Sequence, residues 1–217
     1  AEKMIIALTG KNASGKSEVA EYLKTKGFVY YSLSDVLREE ATKRGLEHSR
    51  DNLTKLGNGL REKFGASYLA AQINKKIKQQ LKSNNKNSII KKNNGLINNN
   101  GSKINEKNNN ETNFVIDSIR SPYEAKELMK NKDFILIGID APVELCFKRL
   151  LERNRVGDAK TLEAFKQQEQ RENLNNAANQ QLDETFKLAE KVIVNDGTLE
   201  ELHKKVDDLL LQLKNKH

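Results

Sequence analysis

Met4-Ile5-Ile6-Ala7-Leu8-Thr9 runs directly into Gly10-Lys11-Asn12-Ala13-Ser14-Gly15-Lys16-Ser17. The first part is a short apolar run rich in β-branched residues and bounded by glycine, which reads as a fully buried strand. The second part satisfies the GxxxxGK[ST] spacing and begins where the strand stops, the signature of a phosphate-binding P-loop. Gly10 and Gly15 permit turns closed to residues with a Cβ, so the amides of Ala13, Ser14, Gly15, Lys16 and Ser17 can converge on a polyphosphate. Lys16 is then placed to reach the β- and γ-phosphates of ATP, and Ser17 to offer its hydroxyl to Mg²⁺. A helix beginning here directs its positive end at the same anion.

Working outward, the chain of 217 residues suits one α/β domain with a substantial core. Its single cysteine, Cys146, excludes a disulfide framework and a cysteine metal cluster, and fits a reducing compartment. No apolar run approaches the roughly 20 residues needed to cross a bilayer, and no signal-peptide core precedes the first strand. A cytoplasmic protein with no membrane partner is expected. The formal charge of +8 owes much to Lys82, Lys86, Lys91, Lys92, Lys103 and Lys107, opposed locally only by Glu106 and Glu111. These lie in an asparagine-rich tract, so the charge is weak grounds for nucleic-acid binding.

Beyond the P-loop, the pattern predicts an amphipathic helix from Glu18 to Lys26, with Val19, Ala20 and Leu23 inward and Gly27 as its stop. Phe28 to Tyr31 reads as a second strand, and Ser34 or Asp35 as the N-cap of a helix reaching about Arg44. Ser49 to Phe64 reads as a helix in which Gly57 and Gly59 mark a close approach, either to a ligand or to another helix. Ala66 to Leu81 extends this helical region. Residues 82–113 form a low-complexity Asn/Lys-rich insertion, expected to be disordered because it has too little apolar surface to offset its ordering entropy. Strands follow at Phe114–Ile116, Phe134–Asp140 and Lys191–Val194. Helices start at Pro122 and Pro142, the stretch from Leu162 to Leu188 is polar and helical, and a capping box at Thr198 to Glu201 opens the last helix. Alternating strands and helices imply a three-layer α/β/α P-loop NTPase with a five-stranded parallel sheet, ligands binding beyond its carboxyl ends.

Phosphoryl transfer then requires a metal-organising carboxylate, cations on the moving group and a grip on the acceptor. Asp117, ending an apolar strand, is the metal candidate beside Ser17. Arg120 follows on the same loop, and Arg38 projects from the opposite wall. Arg149 and Arg153 are four apart on one helical face, and with Arg155 they suggest a lid spanning residues 149–160. Arg171 could also reach the phosphates when that lid is closed.

The P-loop, Ser34-Asp35-Val36-Leu37-Arg38, Asp117-Ser118-Ile119-Arg120 and Arg149-x-x-x-Arg153 together resemble the nucleoside monophosphate kinases. The run from Ser118 to Glu124 and the Leu33–Arg44 helix are most similar to small archaeal-type adenylate-kinase-like or dephospho-CoA-kinase-like proteins, and to kinase-like domains fused to dCMP deaminases. The resemblance implies Ser34, Asp35, Arg38 and Arg120 on the acceptor, Arg149, Arg153 and Arg155 on ATP, and catalytic roles for Lys16, Asp117, Arg120 and Arg153. It also implies association with a deaminase-type domain. Two departures matter: Ser34 replaces the family's glycine, and Arg120 comes one residue early because the proline of DGxPR is absent. Dephospho-CoA kinases carry Asp-Ala-Asp after the second strand, where this chain has Ser32 and Ser34. A phosphate acceptor needs no base, which favours a nucleotide monophosphate. Dephospho-CoA kinase, with Asp35 as base, and a non-catalytic NTP-binding regulatory module remain the alternatives. Nucleic-acid end phosphorylation would rest on the basic tract alone.

Overall fold

A computed structural model describes residues 3–93, 112–154, 158–171 and 181–215. Five parallel strands, β1 (Ile5–Thr9), β2 (Val29–Ser32), β3 (Phe114–Asp117), β4 (Phe134–Asp140) and β5 (Lys191–Val194), lie in the order β2-β3-β1-β4-β5. Between and after them run α1 (Lys16–Thr25), α2 (Leu33–Lys43), α3 (Arg50–Phe64), α4 (Tyr68–Asn93), α5 (Pro122–Leu128), α6 (Val143–Arg153), α7 (Leu162–Arg171), α8 (Leu182–Phe186) and α9 (Leu199–Lys214).

The period-2 alternation of the central strands divides the core. Ile5, Ala7, Phe114, Ile116 and Leu136 pack under α2, α3, α4 and α5, whereas Ile6, Leu8, Val115, Ile135, Ile137 and Ile139 pack under α1 and α9. The expected inward residues of the two flanking helices are buried: Val19, Ala20 and Leu23 in α1, and Leu202, Val206, Leu209, Leu210 and Leu213 in α9. The expected capping box is also present, with Thr198 Oγ1 accepting from the Glu201 amide and the Glu201 carboxylate accepting from the Thr198 amide.

Two local expectations are revised and one open alternative is resolved. Ser32, rather than Ser34 or Asp35, caps α2: its hydroxyl accepts from the Ser34 amide, so β2 turns into the helix without a linker. Gly57 marks helix packing, since a Cβ there would meet Leu37 of α2 and the Arg61 guanidinium at 3.2–3.4 Å, while Gly59 faces open space. Helix α4 continues to Asn93, past Leu81 and into the Asn/Lys-rich tract expected to be disordered, and Asn84 donates to Thr112 Oγ1 at 2.7 Å; residues 94–111 of that tract lie outside the described set. Within the Leu162–Leu188 stretch the helices are α7 and α8, and residues 172–180 lie outside the described set. No helix among the described residues is long and apolar enough to cross a membrane.

Because β1 lies between β3 and β4, the loops leaving β1 and β3 emerge side by side at the carboxyl edge of the sheet. The chemistry-bearing residues gather there.

Candidate functional site

A crevice of about 670 Å³ opens at this edge. Its walls carry Ala13, Gly15, Lys16 and Ser17 from the loop after β1, Asp117 and Arg120 from the loop after β3, Ser34 and Arg38 from α2, and Arg149 and Arg153 from α6. Residues separated by more than a hundred positions in sequence thus share one cavity, of a size typical for small-molecule sites.

The P-loop is held open by backbone that only glycine adopts easily. Gly10 (φ +141°) would bring a Cβ within 2.1 Å of the Ile139 carbonyl oxygen, and Gly15 (φ +107°) would bring one within 2.2 Å of Asn195 Nδ2. Gly10 and Ser14 shape the loop without lining the cavity. Ser14 is fully buried and its carbonyl accepts from Asn195 Nδ2 at 2.9 Å. Gly15 serves as the N-cap of α1 and contributes no capping side chain, so the helix directs its positive end at the loop.

The site's cations rest on neighbouring acceptors. Lys16 Nζ donates to the carbonyls of Gly10 (2.8 Å) and Lys11 (2.6 Å). Arg38 pairs with Asp35 at 2.7 Å, so Asp35 steadies the arginine and does not itself line the cavity. Both Arg149 Nη atoms donate to the Asn195 carbonyl at 3.2 Å. Arg153 makes a two-pronged contact with Asp158 (2.9 Å on each oxygen) and reaches Asn12 Oδ1 at 3.1 Å. Arg155 lies outside the described residues; Arg171 ends α7 and does not line the cavity.

The loop after β3 is fixed by its backbone. Ser118 adopts a positive φ (68°) and its amide donates to Asp117 Oδ1 at 2.6 Å, while Thr9 Oγ1 donates to the Ile119 carbonyl at 2.9 Å. Asp117 is 5% exposed, yet it lines the cavity together with Ser17. A carboxylate and a hydroxyl are hard oxygen donors suited to Mg²⁺, an ion that usually takes one or two protein oxygens and completes its shell with phosphate and water. The residues present therefore fit Mg²⁺ bound together with a nucleotide. Tyr30 also lines the cavity, and burial with the nearby Asp117 charge pushes its hydroxyl above its ordinary pKa.

Sequence reasoning missed several participants. Leu33, Leu37, Leu53 and Leu69 make an apolar floor on the side of α2, α3 and α4, joined by Tyr30, His48, Thr54 and Arg61. His48, which reads as an ordinary polar surface residue, stands at this rim with Nε2 2.9 Å from Thr42 Oγ1. Asn195, Asn12 and Glu124 also act on the site through hydrogen bonds. One signal was available: Ser121-Pro122-Tyr123-Glu124 is a capping-box pattern, which aims the glutamate back at the preceding loop.

Residues 6–172 match the family described as AAA domain. Among curated proteins, the chain is 31% identical over 214 residues to a UPF0200/UPF0201 protein of Archaeoglobus fulgidus, covering 98% of this chain and 56% of that one. The chain thus spans little more than half of that relative's length. It is 27% identical to a UPF0200 protein of Thermococcus onnurineus, covering 99% of this chain and 100% of that one. Among solved structures, it is similar in fold to TT1252 from Thermus thermophilus (TM-score 0.55, 21% identity, 98% and 99% coverage). A Chloroflexus aurantiacus protein described as a candidate kinase is also similar (TM-score 0.52, 15% identity, 98% and 97% coverage).

Proposed function

The chain belongs to the AAA domain family, and from that premise we propose that it is an ATP- and Mg²⁺-dependent phosphotransferase whose acceptor is a nucleoside monophosphate or a similar nucleotide. The observation that carries this reading is the joint lining of one cavity by Lys16, Ser17, Asp117 and Arg120, with Arg38 on the acceptor wall and Arg149 and Arg153 on the donor wall. Such a set of charges suits a reaction that needs positioning and electrostatic stabilisation more than covalent chemistry.

In the proposed cycle the P-loop amides and Lys16 hold the donor phosphates, Lys16 exchanging the carbonyls of Gly10 and Lys11 for phosphate oxygens. Ser17 and Asp117 would hold Mg²⁺, which when bound supplies positive charge to the polyphosphate. Arg38 grips the acceptor's phosphate, Arg120 spans donor and acceptor, and Arg149 with Arg153 closes over the donor to exclude water. Arg38, Arg149 and Arg153 would exchange their present partners, Asp35, Asn195 and Asp158, for phosphate oxygens on binding.

The end of β2 favours an anionic acceptor over a ribose hydroxyl. Ser32, whose Oγ is 3.3 Å from Ser118 Oγ and accepts from the Ser34 amide, and Ser34 supply hydroxyls at this strand end; the neighbouring carboxylate, Asp117, is assigned to Mg²⁺, and Asp35 is engaged with Arg38. Association with a further domain, of deaminase type by the resemblance, belongs to this proposal as well. The test is ADP formation from MgATP with AMP, CMP, dCMP, UMP, dTMP, GMP or dephospho-CoA, with Lys16→Ala as control. Acceptor-stimulated turnover by a monophosphate is expected, and its loss in the control. Stimulation by dephospho-CoA alone would transfer the assignment to that acceptor. ATP binding with no stimulation by any acceptor would make the protein a nucleotide sensor.

A further inference from the structure

Beside the crevice, Glu124 is fully buried in the first turn of α5. Its Oε1 accepts from Arg61 Nε (3.0 Å) and Nη2 (2.8 Å), and its Oε2 accepts from the main-chain amide of Arg120 (3.1 Å). Arg61 comes from α3, is 5% exposed, and lines the acceptor side of the cavity. Gly57, one turn earlier, leaves room for its guanidinium. On the other side of Arg120, its carbonyl accepts from the Gln181 amide at 2.8 Å, at the start of α8. Both polar atoms of the Arg120 backbone are thus gripped by elements outside its own loop.

A buried ion pair seldom contributes net stability over a well-packed apolar pair, so stability alone does not account for this arrangement. We propose that Glu124 is a positioning residue: it sets the direction in which Arg120 enters the crevice and, through Arg61, ties that direction to the acceptor wall formed by α3. The proposal rests on the phosphotransferase reading and assigns that reaction a coupling element. Acceptor contacts with α3 would be felt at the Arg120 backbone, where a displacement of about 1 Å can cost on the order of 100-fold in rate.

The decisive variant is Arg61→Met/Glu124→Met. Replacing both partners of a buried pair by apolar side chains of similar volume is commonly tolerated, so the fold should persist while the Arg120 amide loses its acceptor. The expected result is acceptor-stimulated kcat lowered about tenfold or more with the KM for MgATP within about twofold of wild type. Hydrogen exchange at the Arg120 amide should accelerate about tenfold. Glu124→Gln, which retains one oxygen, supplies the same readouts at intermediate size if the double variant fails to fold. Wild-type acceptor kinetics in a folded variant, or equal losses for ATP and acceptor, would overturn the positioning role. If wild type itself shows no acceptor-stimulated turnover, the phosphotransferase reading fails, and unchanged exchange at Arg120 would separately refute the clamp.

Discussion

Asn195 occupies the space that a side chain on Gly15 would need: its Nδ2 lies 2.2 Å from the Cβ position of Gly15 while donating to the Ser14 carbonyl. The loop after β5 is thereby packed against the floor of the P-loop, and the same asparagine receives Arg149. Gly15 is consequently required twice, for its positive φ and for the room it leaves. Gly15→Ala should destabilise the protein by about 1–3 kcal/mol, lowering Tm by roughly 2–4 °C per kcal/mol for a chain of this length. In an Asn195→Ala background the steric part disappears and only the backbone part remains. A double-mutant cycle by denaturant unfolding should therefore show coupling above about 0.5 kcal/mol. Strict additivity would mean that the φ requirement acts alone.

Glu169 on α7 places a carboxylate on the P-loop: the Asn12 amide donates to its Oε1 at 3.1 Å. An arriving triphosphate brings like charge to the same loop. Glu169→Gln removes that repulsion and should tighten MgATP binding by roughly threefold to tenfold at low ionic strength. The gain should shrink as salt is added. Titration calorimetry at two salt concentrations measures both. Weaker binding in the variant would show that the carboxylate supports the nucleotide-bound loop.

Much of this architecture is legible in the sequence because its signals are local. Met4 to Ser17 carries its own strand, turn and helix start, and Leu202, Val206, Leu209, Leu210 and Leu213 declare the buried face of α9 by spacing alone. The cavity wall contributed by α3 is less legible. Arg61 looks like one more polar residue of a helix, and only the fold brings it to Glu124, 63 positions away. Asn195 is a turn residue by composition, and its role depends on β5 ending beside the P-loop. The N-cap of α2 was misplaced because Ser32, Ser34 and Asp35 are all competent caps, and the choice is made by where β2 leaves its pairing with β3 at Ser32 and Asp117.

Arg38→Ala separates binding from folding. The Arg38–Asp35 pair is nearly half exposed on both sides, and such pairs contribute about 0–1 kcal/mol. Tm should therefore stay within about 3 °C of wild type. The acceptor KM should rise about tenfold or more while the KM for ATP changes little, because an arginine–phosphate contact is lost on one substrate only. Parallel changes in both constants would place Arg38 on the donor side.

Cys146 reports on the region beneath the α6 arginines. It is fully buried with Ala141, Leu150 and Phe165, the cluster that joins α6 to α7, and its Sγ donates to the Ala141 carbonyl at 3.7 Å. Burial, reinforced by Glu169, pushes its thiol above the ordinary value, with Arg149, Lys11 and Lys16 opposing. Because the folded pKa is raised, the stabilising contribution is fully present below the unfolded thiol pKa of about 8.5 and is lost as pH rises through that value toward the folded one. A thiol reagent at pH 8 should accordingly label the native protein far more slowly than the guanidinium-unfolded chain. If α6 and α7 close over the donor, saturating MgATP should slow native labelling further, by a factor set by its concentration relative to Kd. Rapid labelling of the native protein, unaffected by MgATP, would mean that the α6–α7 unit opens independently of the nucleotide site.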